Sequence, residues 1–331
     1  MTIPRIALVL GANGGVGGGT AAALARHGWT VRALVRDTTK AKAPGVTAMK
    51  GDALDRAAVV AAARDAAIIV HAVNPPGYRG WRKLVLPMLE NTIAAARASG
   101  ARILLPGTIY NYDPAAASVI DETTPQRART RKGKIRVEME ARLEAASASG
   151  VRSLILRAGD FFGPRSTGNS WFASGLVTPG KPVRSILYPG DRGVGHAWAY
   201  LPDLGETFAR LADREDELPA FARFHFGGHW DERGEAMIRA IARAAGQKRP
   251  NARRLPWGLL PVAGLFSETM RELAEMRPFW RHPVRLDNRR LVAFLGEEPH
   301  TPLDVAVRAT MEGLGVPVAE PPSTLRLARA A

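Results

Sequence analysis

Five consecutive apolar positions, Ile6-Ala-Leu-Val-Leu10, run without polar interruption into Gly11-Ala-Asn-Gly-Gly-Val-Gly-Gly-Gly19, and an alanine-rich stretch to His27 follows. A short apolar run bounded by glycine reads as a buried strand, so the order predicts strand, tight turn, helix. Residues 30–36 alternate and are β-branched, which predicts a second strand, and residues 46–49 make a short third. Residues 53–64 read as a helix and residues 67–71 as a fourth strand. The pattern repeats with a long helix over 81–99 closed by Gly100, a strand over 102–105, a helix over 134–149 closed by Gly150, and a strand over 151–156. Glycine just past a helix end tolerates the left-handed backbone that stops the helix. Strands that are apolar on both faces, alternating with helices, predict an α/β fold: a doubly wound parallel sheet of the Rossmann kind.

Beyond Arg157 the texture becomes rich in glycine, proline and tryptophan, as in Gly163-Pro164 and Thr178-Pro-Gly-Lys-Pro182. Helices are predicted near 201–212, 235–245, 268–276 and 302–314, and Arg223-Phe-His-Phe-Gly227 as a strand that rejoins the sheet. The division expected is a sheet domain over 1–158 with returning segments near 190–228. An interleaved, smaller and mostly helical substrate lobe covers 159–320, and a loosely ordered tail covers 321–331.

Composition narrows the chemistry. The 331 residues are 46% hydrophobic, enough for one large core or two modest ones. With no cysteine in the chain, disulfides, thiolate zinc sites and cysteine nucleophiles are excluded. The strand-like opening is too short for a signal peptide and no stretch holds roughly 18 uninterrupted apolar residues, so the expected place is the cytoplasm, with no membrane partner. The net charge of +15 comes from arginines scattered along helices, such as Arg26, Arg64, Arg142 and Arg243, which reads as solvated faces and not as a nucleic-acid surface. The seven histidines show no metal-ligand spacing, and neither a Gly-x-Ser-x-Gly elbow nor a Walker lysine turn is present.

Gly11, Gly14 and Gly17 sit three apart between a strand and a helix. In that setting glycines make the turn, admit a pyrophosphate to the backbone and let the helix lie on the sheet, while the helix start offers free N–H groups to phosphate. Gly15, Gly18 and Gly19 leave the register open. An acid at the end of the second strand would bond ribose hydroxyls, but here Arg36 precedes Asp37, and a cation suits a 2′-phosphate. The expected cofactor is NADP, with NAD possible should Asp37 turn inward.

These residues resemble the extended short-chain dehydrogenase/reductase superfamily, in its epimerase/dehydratase-like group. Gly11-Ala-Asn-Gly14-Gly-Val-Gly17 is similar to its glycine turn, Gly51-Asp52-Ala-Leu-Asp55 to its Gly-Asp-x-x-Asp element, and Asn91, Leu156-Arg-Ala-Gly-Asp-Phe-Phe-Gly-Pro164 and Tyr200-Leu-Pro-Asp203 to further landmarks. The resemblance implies a dinucleotide running over Gly11, Asn13, Gly14, Gly15, Val16 and Gly17. From there it passes Arg36, Asp52 and Ala53, and then Ala72 on the way to Lys134. The superfamily's catalytic pair is Tyr-x-x-x-Lys at the start of the helix after the fifth strand, with a Ser or Thr just beyond that strand. The best match is Thr130-Arg-Lys-Gly-Lys134, with Glu138 four residues on, so the tyrosine slot holds a threonine, a far weaker acid than a phenol. Thr108 fits the hydroxyl slot, although a turn residue capping its own loop reads equally well. Tyr110 and Tyr112, in the same loop, are candidates for the missing phenol, as is a water relay through Thr130. His71, His196, Tyr78 and Trp81 are lesser candidates, each more often structural.

Two functions follow. One is an NADP-dependent oxidoreductase or epimerase/dehydratase acting on a small carbonyl or hydroxyl compound. The other is a nucleotide-binding sensor, regulator or assembly protein that has lost catalysis. A homodimer is possible through helices of the sheet domain, as in relatives.

Overall fold

The structure, a computed structural model, describes residues 5–40, 45–75, 80–166, 170–265 and 267–320. The first half runs β1 (Ile6–Leu10), α1 (Gly15–Arg26), β2 (Thr30–Val35), β3 (Val46–Lys50), α2 (Arg56–Ala62), β4 (Ala66–His71) and α3 (Trp81–Ser99). It continues through β5 (Arg102–Thr108), β6 (Val119–Ile120), α4 (Arg131–Ser147) and β7 (Ser153–Ala158). Then come β8 (Asp160–Phe162), β9 (Ile186–Tyr188), β10 (His196–Tyr200), α5 (Leu201–Asp213), β11 (Phe221–His225), β12 (His229–Asp231), α6 (Ala236–Ala244), α7 (Leu260–Gly264) and α8 (Glu268–Ala274).

Seven strands form one parallel sheet in the order β11-β7-β5-β4-β1-β2-β3. Every residue of β5 and β7 is buried, as expected of strands covered on both faces. One face packs Leu24 of α1 with Phe208 and Leu211 of α5, and the other packs Val59 of α2, Leu89 of α3 and Leu143 of α4. The sheet is therefore doubly wound, as its sequence pattern predicts. The strand order reverses between β1 and β4, and in such sheets ligands bind beyond the carboxyl ends at that point.

Of the segments expected to return, Phe221–His225 joins the sheet as its edge strand, alongside β7. His196–Tyr200 instead centres a three-stranded sheet, parallel to β8 and antiparallel to β12. This second lobe has its own core, in which Phe162, Phe172, Trp198, Met237, Ile241 and Trp280 pack together.

A buried polar network pins the end of β7 to α4, to the loop after β5 and to the edge strand β11. Arg157, at the end of β7, gives both Glu140 oxygens a hydrogen bond, with Nη2–Oε1 at 2.7 Å, and its Nη1 reaches Tyr112 Oη at 2.8 Å and His225 Nε2 at 2.7 Å. Asn111 Nδ2 donates to Glu140 Oε1 at 2.8 Å and Gln126 Nε2 to Oε2 at 2.7 Å, so the carboxylate is fully satisfied. A buried charge pair persists only with such bonding. Among the described residues no helix is long and apolar enough to cross a membrane, and no cluster of three His, Asp or Glu side chains is set to hold a metal ion.

Candidate functional site

The last residues of five strands, Leu10, Val35, His71, Thr108 and Ala158, all border one cleft of about 930 Å³. Its floor is the glycine turn and its far wall belongs to the second lobe, where Phe161, Ser170 and Trp171 face it.

The turn is built by contacts that admit no side chain. Gly11 has φ +89°, and a Cβ there would lie 2.5 Å from the carbonyl oxygen of Ala72. A Cβ on Gly17 would lie 2.3 Å from the carbonyl oxygen of Gly11. Gly11 thus holds the ends of β1 and β4 together, and Gly17 lets α1 rest on the turn. Gly14 caps α1 with extended backbone and Gly14 N donates to Gly11 O at 2.9 Å. The first N–H groups of α1, from Gly15 onward, have no partner inside the helix and carry the positive end of its dipole. Asn13, Gly14, Gly15 and Val16 line the cleft, while Gly17 is buried behind them and acts through packing.

Arg36 lines the rim and is exposed. The Asp37 carboxylate is engaged by its own loop, where Oδ1 accepts from Thr39 N at 3.1 Å and Thr39 Oγ1 at 2.6 Å. Asp52, Ala53 and Leu54 form the next stretch of wall. Asp52 Oδ1 accepts from Leu54 N at 2.9 Å, and Asn91 Nδ2 fixes the loop from α3 by donating to Ala53 O at 2.9 Å. Ala72 follows just beyond the end of β4.

His71 is buried, and burial, helped by the charge of Arg136, pushes its pKa down to about 3. Its Nδ1 lies 2.8 Å from Thr92 Oγ1, whose own hydrogen goes to Met88 O. The ring is therefore neutral with its proton on Nδ1, leaving Nε2 a buried acceptor with no partner among the described residues.

The groups expected around the reacting centre divide. Thr108 lines the cleft, and its Oγ1 accepts from Tyr110 N at 3.3 Å while keeping its own hydrogen. Tyr110 lines it too and donates its phenol proton to Asp160 Oδ1 at 3.1 Å, and Asp160 Oδ2 lies 2.9 Å from His196 Nε2. His196 stacks flat on Trp280, with ring centroids 3.7 Å apart. Tyr112 is turned away: its hydroxyl accepts from Arg157, and burial pushes its pKa up to about 12. Tyr78 lies outside the described residues. Trp81 lines the cleft and its indole N–H donates to Asn74 Oδ1.

The assignments on α4 need correction. The helix starts at Arg131, three residues earlier than its apolar pattern suggests, because Thr130 caps it by accepting from Gly133 N at 3.0 Å. Thr130 is therefore engaged as a helix cap and does not border the cleft. Lys134 is exposed and also absent from the cleft wall, and Glu138 pairs with Arg142 on the surface. The inward residues are Lys132 and Arg136, which line the cleft, with Glu140 one further turn on. Two positions along an α-helix are a rotation of about 200°, so a register error of two carries a residue to the opposite face. Lys132–Arg136–Glu140 and Lys134–Glu138–Arg142 share the same spacing of four, so spacing alone does not tell the inward face from the exposed one.

Lys132 is 2% exposed. Its Nζ donates to Glu272 O at 3.1 Å and lies 3.4 Å from Glu272 Oε2, joining α4 to α8. Burial lowers its pKa below that of an ordinary lysine, against the opposing pull of Glu272. Arg136 Nη1 donates to Pro106 O at 3.3 Å, and its guanidinium lies 5.4 Å from the centre of the Trp81 ring.

A glycine cradle that a Cβ would fill, unpaired helix-start amides, a bare buried acceptor on His71 and a cation at the rim together fit a dinucleotide. The fold and site define a nucleotide-binding protein of the Rossmann class. The chain belongs to the NAD(P)H-binding family, which it matches over residues 11–178. A relative from a Streptomyces species, 3-diazoavenalumate denitrifying reductase, is 33% identical over 245 residues, covering 65% of this chain and 80% of the relative. The fold is that of solved epimerases. UDP-glucose 4-epimerase from Brucella ovis in complex with NAD superposes with TM-score 0.72 at 15% identity, covering 95% of this chain and all of that one. The UDP-glucose 4-epimerase of Stenotrophomonas maltophila, solved with NAD and formylated UDP-arabinopyranose, gives 0.72 at 14% identity over 99% of this chain and all of that one.

Proposed function

We propose that this chain is an NADPH-dependent reductase that acts on a small carbonyl-type compound held at the second-lobe end of the cleft. The observation that carries the choice of NADP is Arg36. It stands exposed at the rim beyond β2, where an acidic residue would select NAD, while the Asp37 carboxylate is engaged by Thr39. Reduction is supported by the name of the Streptomyces relative, which is itself a reductase. The walls suit a flat acceptor, since Tyr110, Phe161 and Trp171 surround the far end.

In this reading the amides of Gly15 and Val16 hold the diphosphate, Asp52 and Ala53 flank the adenine end, and Arg36 meets the 2′-phosphate. The bound nicotinamide supplies the hydride. Thr108 offers its hydroxyl hydrogen to the substrate oxygen, and the second lobe excludes water from the reacting centre.

The test pairs binding with turnover. NADPH and NADH are titrated into the wild-type protein and an Arg36→Ala variant by nucleotide fluorescence. NADPH oxidation is then followed with 4-nitrobenzaldehyde, 9,10-phenanthrenequinone and a diazo compound, the last because the Streptomyces relative is named for one. A charge-assisted contact is worth about 1.5–3 kcal/mol, so the variant is expected to bind NADPH about 10- to 150-fold more weakly, with NADH unchanged. Equal loss for both nucleotides would remove the role given to Arg36. Tight NADPH binding with no turnover of any acceptor would favour a nucleotide sensor.

A further inference from the structure

The geometry points to Lys132 as the proton donor of this site, giving a proton from Nζ to the substrate oxygen as that oxygen gains an electron pair. The inference rests on the reductase reading above.

It comes first from what the other side chains of the cleft are already doing. The Tyr110 hydroxyl hydrogen is committed to Asp160, and His71 is neutral with only a lone pair to offer. Arg36 and Arg136 line the cleft, but a guanidinium does not release a proton at any physiological pH. The hydroxyls of Thr108, Ser166 and Ser170 are far weaker acids than an ammonium, and Asp37, Asp52 and Asp160 accept hydrogen bonds from Thr39, Leu54 and Tyr110. Lys132 alone among the described lining residues is a cation that can give up a proton and return to charge.

Its placement is built. Gly133 packs so closely that a Cβ would lie 2.1 Å from the Tyr110 carbonyl oxygen, which presses the first turn of α4 against the loop carrying Thr108 and Tyr110. From the second lobe, Glu272 takes one hydrogen of the ammonium on its carbonyl and sets its carboxylate beside it. Among the described residues, the charged groups acting most strongly on Lys132 are Glu272 and Glu275 of the segment around α8 and Arg131 on its own helix. Burial and Arg131 favour the neutral amine, and the two glutamates favour the ammonium. That balance lowers the pKa toward the working range of a general acid.

The step balances simply. The hydride pair arriving from the reduced pyridine nucleotide forms the new C–H bond, and the carbonyl π pair moves to oxygen. An O–H bond then forms as an Nζ–H bond breaks, and solvent returns the proton to the amine.

The decisive comparison is Lys132→Arg against Lys132→Met. Arginine keeps the charge and the pairing with Glu272 but cannot release a proton, whereas methionine removes both. General acid catalysis contributes about 10²- to 10⁴-fold, so both variants are expected to lose kcat by that amount on whichever carbonyl acceptor the wild type reduces, with NADPH affinity within about threefold. A Lys132→Arg protein near wild-type kcat would overturn the proposal and leave Lys132 a tie between lobes. The falling limb of kcat against pH should lie below the titration of an ordinary lysine and move to lower pH in Glu272→Gln, since that change removes a carboxylate that holds the proton on. A limb that does not move counts against the assignment. If the wild type reduces none of the acceptors, the reductase reading fails by itself. Lys132 is then judged by the 15N resonance of its Nζ, identified by its absence in Lys132→Arg. Titration below the other lysines keeps it as a poised acid, and titration with them overturns the proposal.

Discussion

Gly17→Ala tests how the nucleotide cradle is held. The added Cβ would lie 2.3 Å from Gly11 O, 2.7 Å from Gly11 C and 3.2 Å from Ala12 N, all backbone atoms of the turn itself. Such atoms need about 3.5 Å, so the start of α1 must move away from the turn by about 1 Å. Forcing one extra methyl into a closed contact costs about 1–3 kcal/mol of stability. The larger effect falls on binding, because the displaced turn carries the Gly15 and Val16 amides. Losing two charge-assisted hydrogen bonds at about 1.5–3 kcal/mol each weakens NADPH by about 10²- to 10⁴-fold. Urea unfolding and nucleotide titration, run side by side, separate the two effects. Ile241→Val, in the buried core of the second lobe, serves as a control that should lose about 0.5–1.5 kcal/mol with unchanged affinity. A Gly17→Ala protein that binds NADPH as the wild type does would refute the reasoning, whatever its stability.

Acid should weaken the fold well before carboxylates titrate. His71 and His225 are each pushed down to about 3, by burial first and then by Arg136 and Arg157 respectively, so between there and 6.5 the unfolded chain binds protons that the folded one refuses. Stability is then present above the unfolded histidine pKa and lost as pH falls, by about 2 kcal/mol per histidine from pH 7 to pH 5. His27 opposes this in part. Burial lowers its pKa, but its bonds to Asp213 and Glu206 outweigh that and leave it raised, so it stabilises the fold as pH falls. A urea midpoint that is flat over this interval would contradict the account. Tyr110→Phe and Tyr112→Phe should each keep kcat within about tenfold, since one phenol proton is given to Asp160 and the other hydroxyl is bonded to Arg157 away from the cleft. Tyr112→Phe should lose about 1 kcal/mol of stability, and a rate loss above a hundredfold in Tyr110→Phe would return the proton-donor role to that residue.

The sheet domain was readable because its signals are local. An apolar run, a glycine turn and a helix stop each occupy a few neighbouring residues, and each names its own element. The edge strand was legible for the same reason, since Arg223-Phe-His-Phe-Gly227 alternates, although the strand itself runs two residues earlier, over Phe221–His225. The register of α4 was not, because its apolar pattern is weak and Thr130 reads as a catalytic position unless it is recognised as a cap. Lys132 and Lys134 have the same chemistry and nearly the same place in the chain, yet only the facing contacts with Tyr110 and Glu272 decide which of them meets the cleft. The Tyr110–Asp160–His196 chain was hidden for another reason. Its members come from three separate elements, with Trp280 from a fourth behind them, so no window of sequence contains the group.

Isothermal calorimetry of the full chain with reduced and oxidised pyridine nucleotides tests the cradle most directly. One site per chain with a preference for the 2′-phosphorylated form is the expected result. Absence of heat with all four nucleotides, from protein that is folded by circular dichroism, would contradict it.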